Sequence, residues 1–269
     1  MDNGLTGMAP VSSHGIDSHV VGDTAQLLAT VMTSVIAVAA VIAVLALCRR
    51  QRISWPLLVL VSGGATFLLE PMFDHLYGLW FFSENQWTVI TTYGIHVPIW
   101  LPIIYVPYYG AWTVWLVRRF SRGAALGDVA KLFLASVALA ALAETLYIQV
   151  FTLYVYQDHQ PFSVADYPIF VAFVNGVPPF LAAIVYVRLL PLLHGWARLA
   201  IVGVVPICFA ADSFGSGWLY LAARHSGGNP SMALLYVLAS ITVAGVFAMV
   251  LLAARLAGLD RQTAVAPLP

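Results

Sequence analysis

Residues 54–76 read SWPLLVLVSGGATFLLEPMFDHL. A spanning helix takes about 20 mainly apolar residues, and this stretch qualifies by length and composition. It nevertheless carries two carboxylic acids, Glu70 and Asp74, one helical turn apart. An ionised side chain at the centre of a bilayer costs about 2.5–3.5 kcal/mol on insertion scales. Acids in such a place therefore point to function or to a protected interior.

Working outward, six further stretches have the same character: 26–48, 95–117, 128–156, 166–188, 197–223 and 231–255. The 269-residue chain is 61% hydrophobic and 9% charged, with a mean hydropathy of +0.88. Soluble domains carry about 25% charged residues, so a soluble fold is excluded. The expected class is all-α: a polytopic membrane protein, a seven-transmembrane helix bundle over 26–256. An extracytoplasmic N-terminal segment (1–25) and a cytoplasmic tail (257–269) flank it. The first residues lack the basic n-region of a cleavable signal peptide.

Basic residues orient the bundle, because positive charge concentrates on the cytoplasmic side. Arg49, Arg50 and Arg52 follow the first stretch, and Arg118, Arg119, Arg122 and Lys131 lie between the third and fourth. Arg188 and Arg198 separate the fifth and sixth, and Arg255 and Arg261 follow the seventh. Only Arg224 falls on the other side. The N-terminus is thus expected outside and the C-terminus in the cytoplasm.

Two more acids, Glu144 and Asp212, sit in other stretches, with no Lys or Arg at matching depth. Unneutralised acids in lipid suggest protonated carboxyls and hence proton chemistry. At 1.5 Å per residue, Glu70 and Glu144 fall roughly 24 Å from the cytoplasmic edge and Asp212 roughly 20 Å. Asn175 falls roughly 14 Å below the outer surface. Asp74 shares the face of Glu70, and Tyr77 continues it. The expectation is one outer-half cavity served by several helices. The plain alternative for any single acid is an interhelical hydrogen bond, and for Asp74, beside His75, solvation at the interface. Pro71 predicts a kink beside Glu70, and the run Asn175-Gly-Val-Pro-Pro predicts another break. Small residues around Asp212, from Ala210 to Gly217, leave room for a cavity or for close packing.

The connection 77–94 is unusually aromatic, with Tyr77, Trp80, Phe81, Phe82, Trp87 and Tyr93. It is expected to cap the cavity as an amphipathic lid. Trp100, Tyr105, Tyr147 and Trp218 lie at or below the depth of an ordinary aromatic belt. Their π faces suit a cation, and His96 enters with the third stretch. Substrate contacts are therefore assigned to Asp74, Tyr77, Trp80, His96, Trp100, Tyr105, Glu144, Tyr147, Asn175 and Trp218. No HxxxH or CxxC spacing occurs, so no metal site is expected, and Cys48 and Cys208 read as small membrane residues.

An acid in a water-poor aromatic cavity suits protonation of an alkene or epoxide followed by carbocation cyclisation. The layout resembles the small integral-membrane terpene cyclases. These include the fungal meroterpenoid cyclases and the bacterial enzymes that cyclise farnesylated indoles in drimentine-type pathways. The likeness rests on the helix plan and on two acids in context, Glu70 in Leu68-Leu69-Glu70-Pro71 and Asp212 in Ala211-Asp212-Ser213. In the fungal group an aromatic residue precedes the Glu; here it is Leu69, which points to the bacterial type and olefin protonation. The resemblance implies Glu70 and Asp212 as catalytic residues, one donating the proton and the other positioning it or accepting the terminal proton. It also implies a prenylated substrate in a bacterial plasma membrane and no cofactor. No acid cluster of the DDxxD kind is present to ionise a diphosphate through Mg²⁺. A partner role for nucleic acid is not expected.

The competing class is a proton-coupled transporter or channel, whose relay groups run through the whole membrane depth. Here the cytoplasmic half reads as apolar. A retinal photoreceptor is excluded, because the single Lys, Lys131, lies outside the seventh stretch.

Overall fold

In the computed structural model, residues 19–261 are described. The expectations for the N-terminal segment to residue 18 and the tail after 261 lie outside them. Six helical stretches are long and apolar enough to cross a membrane: Asp23–Gln51, Trp55–Tyr77, Leu126–Gln149, Ile169–Leu192, Gly195–Gly215 and Met232–Leu256. Their outward faces carry Leu28, Val35 and Ile42 on the first and Leu234, Val237 and Leu252 on the last. Large apolar patches of this kind are at home in lipid.

The chain starts with α1 (Asp23–Gln51). The second stretch is α2 (Trp55–Ala65), a 3₁₀ turn at Thr66–Leu69, and α3 (Glu70–Tyr77). The break follows from Pro71, which has no N–H to give to the carbonyl of Phe67. Glu70 donates its N–H there instead, which tightens the turn and fixes Glu70 at the head of α3.

The third stretch departs most from expectation. It opens as a strand rather than a helix. Strands β1 (Leu79–Phe81), β2 (Thr88–Thr92) and β3 (Ile95–Pro98) precede α4 (Trp100–Tyr105). A π-helical segment, Val106–Ala111, then leads to α5 (Trp112–Phe120). Pro107 cannot donate into the helix, and the ladder resumes with Trp112 bonding five residues back to the carbonyl of Pro107. Such bulges are frequent at functional sites.

The fourth stretch is helical only as α6 (Leu126–Gln149); residues 154–156 form β4 (Tyr154–Tyr156). Strands β5 (Ser163–Val164) and β6 (Tyr167–Pro168) lead into α7 (Ile169–Leu189). This helix runs unbroken through Pro178 and Pro179, so the break expected at Asn175 does not occur. The sixth stretch divides into α8 (Ile201–Gly215) and a separate α9 (Trp218–Arg224), and α10 (Met232–Leu256) follows.

The architecture is mostly helical but not purely α. Three two-stranded antiparallel sheets pair β1 with β4, β2 with β3, and β5 with β6. The amphipathic lid expected at 77–94 is therefore a strand-built cap. Its β1 is bound to the segment after α6, with Leu79 opposite Tyr156 and Phe81 opposite Tyr154. At the centre stands α7, packed against α5, α6, α8 and α10. Across from it, α2 meets the π segment so closely that a Cβ on Gly63 would meet the backbone of Gly110. Beside that crossing the Tyr105 hydroxyl reaches Glu70.

Candidate functional site

The site is an internal cavity of about 80 Å³. Its polar members are Glu70 on α3, Glu144 on α6 and Asn175 on α7, with tyrosine hydroxyls beside them. Phe81, Trp100, Tyr105, Tyr108, Tyr109, Tyr147 and Tyr154 supply the aromatic walls. Ala140 and Ala143 on α6, preceding Glu144, leave the space empty.

Each glutamate is held by a tyrosine. The Tyr105 hydroxyl donates to Glu70 Oε2. The Tyr154 hydroxyl donates to Glu144 Oε2 at 2.5 Å, and Asn175 Nδ2 donates to Glu144 Oε1 at 3.4 Å. Asn175 is itself anchored, because its backbone carbonyl accepts from the Tyr108 hydroxyl at 3.2 Å. The two carboxyls are near enough for their charges to interact, and Asp74 adjoins Glu70 from one turn along α3. Among the described residues the ion pairs are Arg119–Asp128 and Arg224–Asp158. Neither touches these acids, and no Lys, Arg or His lines the cavity.

Above the acids, Trp100 and Tyr147 stack with centroids 4.5 Å apart and planes 10° apart. Phe81 meets Trp100 edge-on at 5.9 Å and Tyr154 at 5.3 Å. The β1–β4 pair thus forms the roof, with Phe81 and the Glu144-binding Tyr154 opposite each other in register.

Of the residues assigned from sequence, Glu70, Trp100, Tyr105, Glu144, Tyr147 and Asn175 line this cavity. Asp212 does not. It lies on α8 in a packed neighbouring cluster, where the Ser216 hydroxyl donates to its Oδ1. Tyr77 belongs to the same cluster and donates to the Ser213 carbonyl at 3.1 Å. A Cβ at Gly217 would meet that Tyr77 hydroxyl. Phe73 stacks on Tyr77 and meets Phe209 at a tilt, and Tyr109 joins the two regions. Tyr109 lines the cavity, contacts Phe209 edge-on at 5.6 Å, and lies within electrostatic range of Asp212 as well as of Glu70 and Glu144.

The other assignments fall elsewhere. Asp74 is fully buried beside Glu70, and neither of its oxygens has a hydrogen-bond partner among the described residues. It is therefore not solvated at the interface. Trp80 is half-buried over Gly94. His96 is on β3, hydrogen-bonded to Thr91 at 3.1 Å. Trp218 is 60% exposed at the head of α9, past the break after Gly215.

Sequence reasoning did not assign Phe81, Tyr108, Tyr109 or Tyr154 to the site. Helical spacing offers Tyr108 and Tyr109 as neighbours of Ile104 and Tyr105, but seating both toward one cavity depends on the π segment. Phe81 and Tyr154 meet only through strand pairing across more than seventy residues, which no local pattern encodes. Among the described residues no group of three or more His, Cys, Asp or Glu is placed to hold a metal ion.

Comparison with known protein families, with curated proteins and with solved structures finds no match to this chain.

Proposed function

We propose that this chain is an integral-membrane terpene cyclase that protonates an olefin of a prenylated, most simply farnesylated, substrate and guides the resulting carbocation to a ring. The observation that carries the reading is a cavity with two tyrosine-held carboxyls, aromatic walls and no neutralising base. In the proposed step the O–H bond of Glu70 breaks and a C–H bond forms from the alkene π pair. The faces of Trp100 and Tyr147 then stabilise the cation through their quadrupoles, and the largely apolar walls limit the water that would quench it. Asp212 acts as a positioning residue through Tyr109 and Tyr77 rather than by touching substrate.

At about 80 Å³ the cavity is smaller than the 300–1,000 Å³ of a drug-sized ligand site. A farnesyl chain therefore enters by displacement of the β1–β4 roof, a lid motion of the kind that sequesters reactive sites. The reading includes seven spans, with the interrupted helix from Trp100 to Phe120 as the third. It sets the N-terminus outside and the C-terminus in the cytoplasm of a bacterial plasma membrane. Initiation and termination by proton transfer need no redox cofactor.

The test is to incubate membranes from cells expressing the protein with farnesylated indole and farnesylated phenol in D₂O. The expected product is a cyclic isomer carrying one deuterium at the initiating carbon. Recovery of both probes unchanged contradicts the proposal.

A further inference from the structure

We propose that Glu144 is the terminal base of the cavity, the group that takes the last proton from the carbocation; this rests on the cyclase reading above. Two acids touch the cavity, and they are held differently. Glu70 has one donor, Tyr105, and a second carboxyl, Asp74, at its side. Side-by-side carboxyls cannot both ionise readily, because like charges repel, so this pair retains a proton to give. Glu144 has a donor on each oxygen, Tyr154 on one and Asn175 on the other. Donors on both oxygens offset part of the cost of burying a carboxylate there. Asp212 lies outside the lining, which leaves Glu144 as the acceptor within reach of a bound cation.

In the terminal step a C–H bond adjacent to the cationic carbon breaks. Its electron pair becomes the new alkene, and the proton forms an O–H bond on Glu144. One proton leaves Glu70 and one arrives at Glu144, so the product is an isomer of the substrate. When the roof opens and the product leaves, water takes the proton from Glu144 and supplies a new one to Glu70, which restores the starting state. Tyr154 sits on the roof strand β4, so closure of the roof also sets the base.

The experiment compares wild type, Glu144→Gln and Glu144→Asp in membranes with farnesylated indole in D₂O. Deuterium incorporation reports initiation, and product structure reports termination. In Glu144→Gln, deuterium incorporation is expected to persist at a reduced rate, with the wild-type alkene replaced by a water-captured alcohol or a shifted alkene. Glu144→Asp, with its carboxyl drawn back by one methylene, is expected to give mixed alkenes and serves if the Gln variant fails to insert. Wild-type product from both variants overturns the assignment. So does loss of deuterium incorporation in Glu144→Gln that is inserted at normal levels, since that places the residue at initiation. A wild-type protein that converts nothing defeats the cyclase reading itself, and is distinguished by failing before any variant is compared.

Discussion

The Glu70–Glu144 cavity and the Asp212–Tyr77 cluster are built from the same materials, buried carboxyls and tyrosines between helices, yet they differ in space. In the cavity two alanines on α6 leave a void and each glutamate faces it. In the cluster Asp212 is buried against Ser216 outside the cavity lining, and Gly217 is glycine because Tyr77 occupies the place of its Cβ. A buried acid beside empty volume can meet a ligand. One beside packed side chains holds helices together and shapes what lies next to it. Residue type alone does not separate these roles; the residues one turn away do.

The comparison can be broken by substitution. Glu70→Gln removes the proposed proton donor while keeping the shape and an acceptor for Tyr105. General acid catalysis contributes about 10²–10⁴-fold, so cyclisation of a farnesylated indole is expected to fall by at least about 100-fold, with membrane insertion unchanged. Asp212→Asn keeps the bond from Ser216 and acts only through Tyr109 and Tyr77. A loss of about tenfold is expected, equivalent to about 1.4 kcal/mol of transition-state stabilisation. An equal loss in both variants would show that the two regions are one site.

Gly217→Ala should act on stability before chemistry. Its methyl group displaces the Tyr77 hydroxyl from Ser213, and overpacking of this sort costs about 1–3 kcal/mol. The expected sign is a lowered melting temperature in detergent, with residual activity following the folded fraction. The smallest effect sharpens the choice between enzyme and transporter. Proteoliposomes carrying a pH-sensitive dye should show no proton flux above protein-free vesicles, whereas sustained flux abolished by Glu70→Gln would support a proton pathway.

Much of the helical plan was legible because lipid-facing stretches announce themselves by length and composition. Glu70, Glu144, Asn175, Trp100, Tyr105 and Tyr147 were legible for a related reason: polar groups in such stretches must face inward, and depth along a helix is simple arithmetic. Depth does not give azimuth. Asp212 matches Glu70 in height but lies in the neighbouring cluster, and Trp218 is exposed past a break that the small residues of 213–217 permit but do not require. Strands β1 and β4 were hidden by their aromatic content, which reads equally well as interfacial belt. The π segment was signalled by Pro107, although a proline predicts a disturbed helix and not which disturbance.

The most direct test of the account is deuterium incorporation from D₂O into a farnesylated indole in a single turnover, measured side by side for wild type, Glu70→Gln and Asp212→Asn in membranes. The account predicts one deuterium for wild type, slower incorporation for Asp212→Asn and none above background for Glu70→Gln. Incorporation that survives in Glu70→Gln but disappears in Asp212→Asn would move the proton donor out of the cavity and contradict it.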